Sequence, residues 1–339
     1  MKHKNKKQSD KVKKVNNQAP KKVEKMRKSV KKKYKVINWR EYNAALVSRG
    51  DIHLWINQDA IAEWLSKERS GKRGKPLKYS ETAIRTALTL GQVFRLTLRQ
   101  TEGFLASIIK SMGLALPNPD YSTLSFRSRT LLVDTSLPVG DKPLHIVVDS
   151  TGVKVYGEGE WKVRQHGYSK RRTWLKLHLG VDESTNEVKA VILTDNSSSD
   201  GEVLPELLNQ IPDKIEQVSG DGGYDKKNCY QYLQERAIKT VIPPRKDAKI
   251  WQHGNRKDPP HPRDENLRKI RHVGRKKWKE DTNYHRRSLA ETAMFRLKTI
   301  FAETVSARTF ANQKTELFLR CQALNVMTSL GMPKTVVVA

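Results

Sequence analysis

The sequence predicts an α/β protein: a mixed sheet flanked by helices, a helical segment ahead of it, and a basic insertion before a late amphipathic helix. Three observations predict this. The hydrophobic period changes from helical to alternating beyond Pro138. Past that point strands and helices succeed one another, and two of the strands deliver an acid, Asp149 and Asp221. The run from Asn283 to Lys298 then returns to helical period. At about 100° per residue Tyr284, Arg287, Glu291 and Lys298 share an arc of roughly 60°, with Leu289, Ala293, Leu297 and Ile300 on an apolar arc more than a quarter-turn away. Glu291 is thereby held among basic neighbours on the face a core does not need. A capping box of Ser288 and Glu291 is the other reading of these residues, and it would put Tyr284 and Arg287 ahead of the helix.

In order along the chain, residues 1 to 36 hold fifteen Lys and one Arg against Asp10 and Glu24, with few large apolar residues. This predicts a disordered Lys-rich arm over 1–37 that adds salt-sensitive affinity for nucleic acid; a merely solubilising tail is the alternative. A helical segment over 38–135 follows. Trp39, Tyr42, Leu46, Ile52 and Trp55 open it, Ser80 caps a long helical segment through Ile84, Leu88, Val93 and Leu96, and Leu98–Phe104 continues it to Ile108 and Ile109. Pro117 and Pro119 interrupt before Asp120 or Ser122 starts a helix with Arg127 and Arg129. Two helices across a break, the second basic, suit a helix-turn-helix reader of a major groove; a plain basic bundle reads the same way.

From 140 to 333 the pattern is that of the sheet domain. Leu144–Val148 is a strand delivering Asp149, with Ser150-Thr151-Gly152 as a turn, and strands at Leu175–Val181 and Val188–Ile192 follow. The hairpin arm between the first two, including Lys162 and Arg164, is basic and aromatic enough to lie on a DNA backbone. Asp200 starts a helix, Ile215–Ser219 delivers Asp221 within a glycine-rich turn, Asp225 caps the next helix, and Thr240–Ile242 is a fifth strand. Residues 245–283 carry thirteen basic residues against six acids without a clear period, which predicts a loop-rich basic insertion. Trp251 and Trp278 could stack on bases there or pin the insertion to the core. Residues 334–339 are a tail.

Composition bounds the partner. Sixty-five Lys and Arg against thirty-six Asp and Glu in 339 residues give a formal net charge of +29, which calls for a polyanion. Without an apolar stretch of transmembrane length or an apolar signal segment, a soluble cytoplasmic protein is expected. Cys229 and Cys321 form no CxxC pair, so reduced, packed thiols are expected. The histidines show no paired ligand spacing of the kind zinc uses. Asp182, Asp195, Asp200 and Asp225 are expected in turn and cap roles.

Three strands, a helix, a strand ending in an acid, a helix, a strand and a late helix with an acid is the order of an RNase H-like domain. That fold would bring Asp149, Asp221 and Glu291 together. Three carboxylates in one place repel unless cations stand among them, and oxygen-only donors select hard ions. Two Mg2+ ions about 4 Å apart, with Mn2+ as a substitute, suit in-line displacement at a phosphodiester.

Asp149-Ser150-Thr151-Gly152, Asp221-Gly222-Gly223-Tyr224-Asp225 and the Tyr284-x2-Arg287-x3-Glu291-x6-Lys298 signature resemble the DDE transposases of bacterial insertion sequences, closest to insertion-sequence family five. The resemblance spans roughly residues 38 to 333. It implies Asp149, Asp221 and Glu291 as metal-binding catalytic acids, Arg287 and Lys298 as contacts to transposon-end phosphates, and Tyr284 as a substrate-positioning residue. The implied function is a transposase that binds the terminal inverted repeats of its own element, hydrolyses a phosphodiester with Mg2+ and transfers the 3′-OH to target DNA, as an oligomer on double-stranded DNA. A catalytically silent DNA-binding protein and an RNase H-like nuclease or resolvase are the alternatives.

Overall fold

The computed structural model describes residues 33–67, 76–133, 142–156, 174–252 and 260–338. Two compact units emerge. The smaller contains an antiparallel ribbon in which β1 (Lys33–Val36) pairs with β8 (Thr335–Val338), Lys33 opposite Val338. Ile37 N–H donates to Lys334 O at 2.9 Å to close it. The end of the expected arm and most of the expected tail are therefore one structural element. Alternation in Lys33-Tyr34-Lys35-Val36 is too short to read without its partner. Residues 1–32 lie outside the described set.

The larger unit spans Trp39–Pro333. Its helices begin where side chains satisfy the first backbone N–H groups. Ser80 Oγ accepts from Ala83 N–H at 3.0 Å ahead of the helix Glu81–Val93, Thr97 and Gln100 form a capping box for Leu98–Ser111, and Asp120 Oδ1 accepts from Thr123 N–H at 2.8 Å for Tyr121–Arg127. The groove-reading expectation meets a difficulty here. Arg127 turns inward, buried, and donates to Tyr79 O at 2.8 Å, so it holds the bundle together. Arg129 stays exposed, 6.0 Å from the Phe126 ring centroid.

The sheet is built on β2 (Leu144–Val155), which has β3 (Trp174–Asp182) antiparallel on one side and β5 (Ile215–Ser219) parallel on the other. With β4 (Val188–Asp195) and β6 (Lys239–Val241) at the edges the order is β4-β3-β2-β5-β6, and the short β7 (Thr304–Val305) pairs with the end of β2. This is the RNase H-like mixed sheet. Ser150-Thr151-Gly152, expected as a turn, continues β2 instead, because β3 supplies ladder partners as far as Lys154.

Period-two alternation assigns each face its own core. Val147, Val153 and Val155 face a cluster with Leu177, Leu297 and Leu324, which is continuous with Trp64, Ile84 and Leu105 of the helical segment. Leu144, Ile146 and Val148 face the other way, onto Leu204, Leu208, Tyr230 and Leu233. The segments 38–135 and 140–333, distinguished by period in the sequence, thus share one apolar core.

Both edge strands are closed by side-chain amides. Asn325 bonds the N–H and C=O of Val188, each at 2.8 Å, Gln210 does the same at Val191 (3.0 and 3.1 Å), and Asn266 donates to Thr240 O at 3.4 Å.

The expected loop-rich insertion is largely helical, with Pro262–Val273 and Arg275–Asp281 hinged at Gly274, whose φ of +84° suits a residue without Cβ. Trp278 is fully buried with Nε1 donating to Asn266 Oδ1 at 3.1 Å, while Trp251 packs under the Arg263 guanidinium, 3.8 Å from its centroid. Trp251, whose ring also lies 5.7 Å from Tyr230, pins the insertion to the core, while Trp278 is buried between the insertion helices and Tyr284.

Candidate active site

Register brings the first two acids together. In the parallel pair β2 and β5, Val147 stands opposite Ser219; two residues on, along the same face of each strand, come Asp149 and Asp221. The β2–β5 ladder ends just before this point while Asp149 continues β2 opposite Leu179 of β3, and Asp221 comes close enough for its charge to act on Asp149. Asp221 Oδ1 accepts from Gly223 N–H at 2.7 Å, and Asp149 Oδ1 from Ser150 N–H at 2.8 Å. A Cβ at Gly223 would lie 2.8 Å from Asp221 Oδ1, so a side chain there would crowd the carboxylate.

The third acid arrives on the helix Ser288–Phe301, whose Ala290, Ala293 and Leu297 are buried in the core shared with Val147. Tyr284–Arg287 is a 3-10 turn ahead of this helix rather than its first turn, as the capping-box reading anticipated, but Ser288 makes no cap and Arg287 is the N-terminal boundary residue. Arg286 anchors that turn to Glu183, Nε to Oε1 at 2.9 Å and Nη2 to the backbone O at 2.8 Å.

Arg287 then spans the site. Its Nη1 lies 2.9 Å from Asp149 Oδ2 and its Nη2 bonds Glu291 Oε1. Burial pushes the Asp149 carboxyl above the ordinary carboxylate range and the charges of Asp221 and Glu291 add to the rise, against the Ser150 N–H and Arg287. Burial also raises Tyr284, whose ring packs 5.7 Å from Trp278 and whose hydroxyl feels Arg287 and all three acids. Lys298 is half-buried two turns beyond Glu291. Lys162 and Arg164 lie outside the described residues.

Among the described residues no three His, Cys, Asp or Glu side chains stand close enough to hold one ion as they lie. The donor set nevertheless fits a hard cation. It is oxygen-only, Asp149 and Asp221 share a face, and a positive group, the Arg287 guanidinium, already stands between Asp149 and Glu291.

Two of the four acids expected in turns and caps behave otherwise in detail. Asp182 binds Ser184 and Thr185 in a turn and Asp195 binds Ser197, as expected. Asp225 does not cap a helix: its carboxylate takes Arg263 Nε at 2.6 Å and Arg245 N–H at 3.0 Å. The cap ahead of Asp200 is Ser199, and Asp200 points to Lys176, 2.9 Å away. Phe295, 69% exposed one turn beyond Glu291, is an apolar residue on the polar stripe that a search for charged groups passes over.

A family model described as "Transposase DDE domain" matches residues 140–326, more than half of the chain, and a second with the same description matches 47–158. The chain belongs to the DDE transposases. Metal-dependent DNA cleavage is therefore its enzymatic class, and DNA its substrate class. Among solved structures this DDE transposase is similar to the piggyBac transposase in a cryo-EM synaptic complex with hairpin DNA. The identity is 11% and the TM-score 0.43, over 84% of this chain and 76% of that one. Among the described residues no helix is long and apolar enough to cross a membrane.

Proposed function

We propose that this DDE transposase serves an insertion sequence: it binds the element's terminal inverted repeats, hydrolyses a phosphodiester to free a 3′-OH, and joins that hydroxyl to target DNA. The observation that supports the reading best is the register of β2 and β5, which sets Asp149 beside Asp221 under the helix of Glu291. Asp149, Asp221 and Glu291 are the residues that would hold two Mg2+ ions. Bound there, the ions supply activation of the attacking oxygen and stabilisation of the leaving one. Arg287 and Lys298, on the same polar stripe, bind end phosphates, and the Tyr284 ring, fixed against Trp278, orients the strand. Arg129, exposed on the helical segment, adds a phosphate contact, and the basic segment with Lys162 and Arg164 another. Copies of the chain pair on two DNA ends.

Replacing Asp149, Asp221 or Glu291 by Ala is expected to cut cleavage and joining roughly a thousandfold or more, as for groups that act in the transition state, with binding to the ends retained. The substrate is a supercoiled plasmid carrying the repeats that flank the gene, assayed with Mg2+ and scored for nicked and joined products. Retained cleavage in any one variant removes that acid from the site. Nicked ends without joined products favour a nuclease.

A further inference from the structure

Behind the two aspartates, on the opposite face of the sheet, lies a polar cluster that the catalytic reading leaves unused. Asp200 opens the helix Asp200–Asn209, and its carboxylate has Lys176 Nζ at 2.9 Å and His178 Nδ1 at 3.5 Å, with the Ser150 hydroxyl facing it. Ser150 is the link. Its backbone N–H binds Asp149 and its hydroxyl faces Asp200, so one residue stands between the two carboxylates across the thickness of β2. A second link runs to Asp221. The glycine whose N–H holds Asp221 Oδ1 also abuts Asp200: a Cβ at Gly223 would lie 3.3 Å from Asp200 Oδ2. Between them Tyr224 is 1% exposed. Its hydroxyl has no hydrogen-bond partner among the described residues and feels the charges of Asp200, Asp149 and Asp221.

We propose that Asp200 is a positioning residue for the site, setting Asp149 through Ser150 and Asp221 through the Gly222–Tyr224 turn, with the Lys176 ammonium, 2.9 Å away, beside its own carboxylate. The geometry favours positioning over direct catalysis. Alternation places Ser150 and its β3 partner His178 on the sheet face away from Asp149, and Asp200 approaches from that side. Its environment is also that of a fixed anion. Lys226 Nζ donates to Ser199 Oγ at 2.7 Å to hold the helix start, and Asp200 occupies the first helical position, where the helix dipole favours negative charge. Carboxylates that act on metal ions need such outer partners, because a ligand free to rotate loses affinity.

The inference rests on the proposed roles of Asp149 and Asp221, and its test separates the two. Mn2+ binding to the full chain is followed through loss of the free-Mn2+ EPR signal, and the Mg2+ requirement through plasmid nicking. Variants are Asp200→Ala, Asp200→Asn, Ser150→Ala and the Asp200→Ala/Ser150→Ala double, with Asp149→Ala and Asp221→Ala alongside. Asp200→Ala is expected to weaken Mn2+ binding and raise the half-saturating Mg2+ by about tenfold. Asp200→Asn, which keeps an oxygen to face Ser150, recovers part of this. The double variant costs less than the product of the singles, the mark of residues acting through one another. Should Asp200→Ala fail to fold, Asp200→Asn against Ser150→Ala reads the same quantities. Mn2+ affinity and Mg2+ requirement unchanged in the Asp200 variants, or single effects that multiply, overturn the proposal. If Asp149→Ala and Asp221→Ala also bind Mn2+ like the parent, the site assignment itself fails.

Discussion

A single guanidinium decides much about the site. Arg287 neutralises Asp149 and Glu291 in the same gesture, so a cation entering that space competes with a residue already there. Arg287→Gln is therefore expected to bind Mn2+ more tightly than the parent in the absence of DNA, by about tenfold for the loss of one such contact, while binding DNA ends more weakly; calorimetric titration of both ligands checks it. His178 provides a second residue-scale test. Its ring is fully buried, and burial, helped by Lys176 and opposed by Asp200, pushes its pKa down to about 4. The folded state therefore resists a proton that the unfolded chain accepts near the ordinary value. Stability from this neutral ring is fully present above about pH 6.5 and is lost as pH falls toward 4, by roughly 2 to 3 kcal/mol. Urea midpoints of the parent and His178→Gln across that range measure it, with the flatter profile expected for the variant. At this scale the placement of Asp149, Asp221 and Glu291 was legible, because apolar strand runs and a helical stripe lead up to them in one dimension, although β2 runs on past Asp149. Asp200 was not: its partners Lys176, Ser150 and Gly223 come from three other segments, and nothing in one-dimensional spacing announces the meeting.

Among elements, the helix Ser288–Phe301 is the one whose placement matters most, and both of its ends are held. Arg95, from the helical segment, donates to Thr299 O and, at 2.8 Å, to Ile300 O, supplying a positive charge to the last turn. Just beyond, Glu316 accepts the N–H groups of Ser306 and Ala307 and pairs with Arg320, which also donates to Thr304 O at 3.1 Å. Arg95→Ala is expected to cost about 1 kcal/mol, since its charge is exposed. Glu316→Ala is expected to cost about 3 to 5 kcal/mol, because it strands a buried guanidinium and two backbone donors. Chemical denaturation distinguishes the two. The element that sequence reading missed is the insertion helix Pro262–Val273. Leu267 is its one buried apolar residue, and Arg263 and Asp264 are buried through pairing, so a hydrophobic period never develops. The cues present were His261 ahead of Pro262 and Gly274 at the far end. The strand ribbon Lys33–Val36 with Thr335–Val338 was hidden for a different reason, its halves lying at opposite ends of the chain.

For the whole molecule the governing quantity is the formal charge of +29. DNA binding is expected to weaken linearly in log salt, and deletion of residues 1–32 is expected to reduce both affinity for random-sequence duplex and the magnitude of that slope, with cleavage at specific ends retained. Titrations at several salt concentrations report this directly. At this scale the period change near Pro138 gave the architecture, yet it suggested two bodies where one apolar core runs from Trp64 to Leu324. Period reports how a segment is wound and is silent on what it packs against.

The amides of Asn325, Gln210 and Asn266 lie against the outer strands β4 and β6. They occupy backbone groups that a neighbouring molecule would need in order to continue the ladder. A second copy is thus steered away from continuing this sheet at β4 or β6. The copies proposed to pair on DNA ends would then meet through helices, loops or the nucleic acid itself.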